Sequence, residues 1–181
     1  MRDYLTEEIR NVCILGNGNS GKTTVVESML RFSDCIERRG SVLDGTTVSD
    51  YDPEEIKRHI SINTSLVTFG FGKCKYNILD TPGSYDFVGE TLEAVRVADA
   101  AVIVVSGKSG VTSGVELAWK LCEKNKLPRI FFINKVDDDR CNYKAVLEQL
   151  REKFGKTVAP FQVPISNGEK IIGFVDAVSM R

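Results

Sequence analysis

Histidine is almost missing: His59 is the only one in 181 residues. A zinc site built on histidines is therefore not expected, and a Ser-His-Asp triad would hang on this one imidazole. The five cysteines (Cys13, Cys35, Cys74, Cys122 and Cys141) form no Cys-x-x-Cys pair. Odd in number and far apart, they read as small buried residues in a reducing cytosol rather than a disulfide framework. Neither charge is in excess: 24 Lys and Arg face 25 Asp and Glu, mixed along the chain, for a net charge of −1. This argues against a basic DNA-binding surface and against a disordered charged tail. No apolar run approaches ~20 residues, so no transmembrane helix and no membrane partner are expected. The opening MRDYLTEEIR lacks the apolar core of a signal peptide, so a cytoplasmic location is expected. There are no internal repeats and no low-complexity segments, and the length suffices for one domain with a full core.

What is present is concentrated in residues 16–23, GNGNSGKT. Gly16, Gly21, Lys22 and Thr23 complete the pattern G-x-x-x-x-G-K-[ST]. Such a loop wraps a phosphate chain with backbone N–H groups, which a glycine-rich turn can present at close range. Asn17, Gly18, Asn19 and Ser20 are its intervening residues, and Thr24 follows it. Lys22 would neutralise β- and γ-phosphate charge, and the Thr23 hydroxyl would bind Mg²⁺. The context agrees. Val12-Cys13-Ile14-Leu15 is a strand signal, and Thr24 to Leu30 continues without a breaker, so a helix would point its positive end at the phosphates.

Along the chain, strand and helix patterns alternate, which predicts a mostly parallel sheet covered on both faces. Strands are expected at 11–16, 64–70, 75–80, 100–106, 129–133 and 159–164, and helices at 21–32, 87–98, 112–125 and 142–154. Strands 64–70 and 75–80, joined by a turn containing Gly72-Lys73-Cys74, should form an antiparallel hairpin. Helix 112–125 has Thr112 or Ser113 as its expected N-cap, and Pro128 follows its end. Trp119, Phe131 and Phe132 read as core rather than as cofactor contacts. The long polar stretch 33–63 is read as functional or mobile.

Two further motifs sit at predicted strand ends. Asp80-Thr81-Pro82-Gly83 places an Asp beside the phosphate loop, where it can hold Mg²⁺ through water, and Gly83 can offer its N–H to a γ-phosphate. Alone, D-x-x-G occurs by chance in many chains; its position after the hairpin gives it weight. Strand 129–133 then runs into Asn134-Lys135-Val136-Asp137. N-K-x-D reads guanine: the Asp137 carboxylate accepts from N1–H and the exocyclic amine, the Lys135 stem packs on the base, and Asn134 braces the loop. Adenine cannot supply those donors, and a buried acceptor left unpaired gives large discrimination.

GNGNSGKTT, RHISINTS, LDTPGSYDFVGE and PRIFFINKVD together resemble the N-terminal GTP-binding domain of translation elongation factor G and its relatives. The resemblance spans essentially the whole chain. It is strongest to the elongation factor G-like subgroup, whose first switch has the Gly-Thr-Thr-x-x-Asp-Tyr-x-Pro-Glu character of Gly45 to Glu54. It implies an α/β P-loop NTPase fold, three-layered, with a mostly parallel sheet and one antiparallel edge strand. It implies GTP or GDP with Mg²⁺ as ligands, a ribosome as the partner of the full-length protein, hydrolysis by an attacking water, and a monomer. Ser61 stands where the family has a Thr that ligates Mg²⁺ and senses the γ-phosphate. A Ser hydroxyl can still do so, with a looser side chain. His59 replaces a family glycine. Ser84 replaces the histidine that orients the attacking water, and is too short to copy its reach. The expected catalytic set is thus Lys22, Ser61, Gly83 and Ser84. Asn19 occupies a position where K⁺-activated GTPases place a cation ligand, which makes K⁺ a candidate as well. The family's Ser-Ala loop near the base has no counterpart here. Residues 1–160 are expected to be an incomplete GTP-binding domain, truncated at its C-terminal end, and 161–181 the start of an inserted subdomain. A switch with little intrinsic hydrolysis, and a ribosomal protection protein of the tetracycline-resistance type, are the alternatives.

Overall fold

The computed structural model describes residues 3–167 and 170–179. Five strands form the main sheet: β1 (Ile9–Gly16), β2 (Ser65–Phe71), β3 (Cys74–Asp80), β4 (Ala100–Ser106) and β5 (Arg129–Asn134). Their order is β2-β3-β1-β4-β5, all parallel except β2, which pairs antiparallel with β3. This is the expected mixed sheet with one antiparallel edge. After β1 the chain goes to β3 on one side and then to β4 on the other. The crevice at the carboxyl end of β1 is therefore the topological switch point, where open α/β sheets bind ligands.

Burial follows the alternation of the strands. Cys13, Leu15, Ala101, Ile103 and Val105 face α3 (Val88–Val97), α4 (Ser113–Lys124) and α5 (Tyr143–Phe154), packing on Ala94, Val115, Ala118 and Leu150. Ile14, Ile78, Val102 and Val104 face α1 (Lys22–Phe32) through Val26 and Leu30. Each buried Val or Leu contributes about 1.5–3 kcal/mol relative to exposure. Central β4 reads as an unbroken apolar run because both of its faces are covered.

Several expectations need correction. The strand expected at 159–164 lies at Gln162–Asn167 (β6) and, among the described residues, pairs only with Lys170–Asp176 (β7), in a separate two-stranded sheet. Pro164 explains the placement: with no N–H it suits an edge rather than a central strand. Polar 33–63 contains a helix, α2 (Pro53–Arg58). Its signals were Asp52, whose side chain accepts from Glu54 N–H; Glu55, which reaches back to Asp52 N–H; and Pro53 at the first turn. Cys13 and Cys122 are buried as expected, but Cys35 is exposed. Trp119 stacks on Phe131 and Phe154 with ring centroids 5.5 and 4.6 Å away, as a core residue should, and the Arg129 guanidinium covers its ring. Phe132 points to the opposite face and is exposed.

Candidate functional site

The three motif loops meet at the carboxyl ends of β1, β3 and β5. Gly21 is the N-cap of α1 in the left-handed region (φ 93°), and a Cβ there would strike the Asn134 side chain. Glycine is thus required both for the turn and for the close approach. Among the described residues no side chain caps α1, which leaves its first N–H groups able to meet an anion. Asn134 Nδ2 donates to Ser20 O at 2.9 Å, tying the 134–137 loop to the phosphate loop. Gly18 N–H donates to Gly83 O at 3.1 Å, tying in the loop after β3. A Cβ on Gly83 would collide with Lys22 Nζ.

Lys22 lies folded under the loop and buried, its Nζ donating to Gly16 O (3.3 Å) and Asn17 O (3.1 Å). Burial lowers its pKa, opposed by Asp80 and Asp50 nearby. Thr23 is buried on the first turn of α1, its Oγ1 3.3 Å from Ser61 Oγ. Asp80 is buried and accepts from Ser49 Oγ at 2.9 Å. Burial pushes its carboxyl up to about 6, against the pull of the Thr23 and Ser49 hydroxyls and the Lys22 ammonium.

Asp50 is the site residue that motif reading missed. It is buried, its pKa is raised chiefly by burial, and the Ser61 and Thr23 hydroxyls beside it oppose the rise. Asp50 Oδ2 and Asp80 Oδ1 are buried with no hydrogen-bond partner among the described residues. The Asp-Tyr at 50–51 already stood in the first-switch pattern, but nothing in the pattern said that the carboxylate turns inward. Two orphaned carboxylate oxygens and two hydroxyls around one spot suit a hard, oxygen-seeking cation. Among the described residues no three His, Cys, Asp or Glu side chains gather to hold a metal. Mg²⁺ needs no such cage, because waters and substrate phosphates complete its octahedron.

The remaining expected residues are less enclosed. Asn19 is exposed at φ 60°, and Asn17 Nδ2 donates to Gly18 O. Thr24 is exposed and turned along α1, its carbonyl accepting from Ser28 Oγ. Lys135, at φ 57°, and Asp137 are exposed on the loop after β5. Ser84 Oγ donates to Asp86 Oδ2 (3.1 Å) and accepts from Asp86 N–H (3.4 Å), capping the turn Tyr85–Phe87. His59 sits in the left-handed region (φ 54°), a conformation that suits glycine, with its Nδ1 3.0 Å from Val42 O.

Residues 7–179 match the family model described as the elongation factor Tu GTP binding domain. The mitochondrial ribosome-releasing factor 2 of Anopheles gambiae is 35% identical over 173 residues, 96% of this chain and 24% of that protein. An elongation factor G-like protein of Mycobacterium tuberculosis is 36% identical over 167 residues, 92% of this chain and 23% of that one. A crystal structure of a protein from Thermus thermophilus superposes with a TM-score of 0.88 at 39% identity, covering 93% of this chain and 25% of that one. The chain thus spans about a quarter of the length of these relatives. With a phosphate loop at the switch point, a D-x-x-G loop bonded to it and an N-K-x-D loop braced against it, the chain belongs to the elongation factor Tu GTP binding domain family, within the P-loop NTPase fold.

Proposed function

We propose that this chain is the GTP-binding and GTP-hydrolysing module of an elongation factor G-like protein that works on the ribosome. The observation that supports it is the convergence of three strand-end loops: Gly18 N–H on Gly83 O, and Asn134 Nδ2 on Ser20 O. Thr23 and Ser61 would ligate Mg²⁺, with Asp80 and Asp50 holding its water shell. Bound there, the ion supplies positive charge to the phosphate oxygens. Lys22 adds its own charge, Gly83 senses the γ-phosphate, and the free N–H groups of α1 cradle the chain of phosphates. Water attacks the γ-phosphorus and GDP leaves. Asn134, Lys135 and Asp137 select guanine. Asn19, exposed beside the phosphates, is a candidate ligand for K⁺.

The hairpin β6–β7 has its own sheet, which supports reading 161–181 as the start of a second subdomain. On the α1 side, Ile130 and Phe132 are exposed on edge strand β5, a place for a further segment that would also wall the base. The second reading, a switch with little intrinsic hydrolysis, is favoured by one observation: Ser84 is engaged with Asp86 rather than free to position water. Titration of the intact protein with GTP and ATP, with and without Mg²⁺, and single-turnover hydrolysis with and without ribosomes test both. Guanine-selective, Mg²⁺-dependent binding with ribosome-stimulated hydrolysis is expected. Equal GTP and ATP affinity removes the guanine reading, and hydrolysis that stays slow on ribosomes favours the switch.

A further inference from the structure

Asp137 stands on a loop that its own backbone holds in shape. Asp138 N–H donates to Lys135 O at 3.3 Å and Cys141 N–H to Asp138 O at 2.8 Å, which folds 135–141 into two successive turns with Asp137 inside the first. Asn142 then caps α5, its Oδ1 accepting from Ala145 N–H at 3.0 Å. A loop closed on itself in this way moves as one piece, so the place of Asp137 depends on how the two ends are tied. Both ends bond to the same residue. Gly107, buried just after β4, donates its N–H to Asn134 O at 2.7 Å and accepts from Asn142 N–H at 3.4 Å. The first of these bonds extends the ladder in which Ser106 pairs with Asn134. The bond from Asn134 Nδ2 to Ser20 O holds the first end alone. Gly107 is not in the left-handed region, so what glycine supplies here is space. A Cβ at 107 would stand 2.5 Å from Cys141 Sγ and 3.1 Å from Asn134 O, closer than ordinary contact with either.

We propose that Gly107 is a positioning residue for base recognition: a clamp that joins the two ends of the 134–142 loop and so sets where the Asp137 carboxylate stands. This rests on the guanine reading above. Gly107 acts through Asn134 and Asn142, not on the base itself. Asp137 has to meet N1–H and the exocyclic amine together, and a hydrogen bond weakens steeply as its distance and angle leave the optimum. A methyl group at 107 must push aside the Cys141 side chain, the Asn134 carbonyl or both, and overfilling a packed contact moves backbone. The loop then shifts against β4, while Lys22 and Thr23 keep their partners. The loss falls on the base and spares the phosphates.

The test compares the intact wild type with Gly107→Ala and with the double variant Gly107→Ala/Cys141→Ala, in which the added methyl takes the space of the removed thiol. Competition against a fluorescent GTP analogue gives affinities for GTP and for ITP, which lacks only the exocyclic amine. In Gly107→Ala the GTP affinity should fall about tenfold and the preference for GTP over ITP should narrow about threefold, the scale of one or two weakened hydrogen bonds. The double variant should recover both values to within about twofold. An unchanged GTP affinity overturns the proposal. So does an equal fall for GTP and ITP, which marks a merely structural role, and so does a double variant no better than the single one. A second measurement needs no variant. In the GTP-bound wild type, hydrogen exchange at the Gly107 and Asn142 amides should be slow, and rapid exchange at either also overturns the clamp. A wild type that binds GTP, ITP and ATP alike overturns the guanine reading and the proposal with it, whereas wild-type discrimination that Gly107→Ala leaves intact overturns the proposal only.

Discussion

Around the loop after β1 Lys22, Thr23, Asp50 and Asp80 are all buried, whereas on the loop after β5 Lys135 and Asp137 are exposed. The first group is held by its own chain: Lys22 by two carbonyls, Asp80 by Ser49, Thr23 by Ser61. The second stands on a loop tied back by Asn134 Nδ2 on Ser20 O and by Gly107 N–H on Asn134 O, after strand β5, whose Ile130 and Phe132 are 63% and 42% exposed. Because Ile130 pairs with Val102 and Phe132 with Val104, this bare surface continues the face that α1 covers elsewhere. The difference separates two jobs. Gripping phosphate and metal needs charge and preorganised donors, and residues 16–83 bring buried charges and hydroxyls together. Reading a base needs a desolvated pocket, whereas Lys135 and Asp137 stand exposed here.

The comparison breaks most sharply at Asp137. If its carboxylate is the only reader of guanine, Asp137→Asn should turn the intact protein from GTP toward XTP. The selectivity change should be of order 10⁴-fold, the scale on which a site built for specific hydrogen bonds rejects a ligand lacking them. Competition of GTP and XTP against a labelled nucleotide measures it, and unchanged selectivity would assign base reading to another element. On the other half, Lys22→Ala should slow single-turnover hydrolysis by roughly 10²–10³-fold, the usual loss on removing one charge-stabilising group. Base selectivity should stay put. A variant that changed both together would mean that the halves are not separable.

The sequence made the two halves unequally legible. The phosphate and guanine loops are contiguous motifs, so four to eight residues carry each one, and strand periodicity placed them at the ends of β1 and β5. The cluster of Thr23, Ser49, Asp50, Ser61 and Asp80 is not contiguous. Asp50 and Ser49 come to it from the polar 33–63 stretch, whose N–H groups at Gly40, Val48, Ile62 and Asn63 bond to Glu27 and Glu55, and a pattern of polar residues looks the same whether it is pinned or solvated. Helix α2 begins with a capping box and Pro53 but is too short to show periodicity, so the sequence reading of 33–63 contains no helix there. Strand β6 was misplaced because an apolar run alone does not say which sheet it joins, although Pro164 argued for an edge.

A smaller effect is expected at Ser84. Its hydroxyl closes the Tyr85–Phe87 turn on Asp86, so it serves local structure rather than aiming at an attacking water. Ser84→His should raise single-turnover hydrolysis roughly tenfold or more, the low side of what a positioned proton acceptor contributes. Ser84→Ala is the control: it loses the same cap without gaining an imidazole, and should bring no increase. If wild type already matches ordinary family members, or the histidine variant is slower, another residue positions the water.

The smallest effect tests whether the buried half is built around a cation. Burial raises the Asp80 carboxyl in the folded chain from 3.8 to about 6. A folded acid that holds its proton more tightly than the unfolded one stabilises the fold at low pH, and that contribution is lost as pH rises from about 4 to about 6. Without metal or nucleotide, the fold should therefore gain from this group on acidification, opposite to the usual behaviour of paired carboxylates. Mg²⁺ demands the ionised form, so proton and ion compete. Between pH 7 and pH 5.5 the apparent Mg²⁺ affinity should fall about fourfold, as the ionised fraction of a group with a pKa of about 6 does. Mg²⁺ titrations of nucleotide binding at the two pH values, on wild type and on Asp80→Asn, decide the matter. The pH dependence should vanish in the variant. If it persists there, the titrating group lies elsewhere, and the neighbouring Asp50, whose carboxyl burial also raises, is the next to replace.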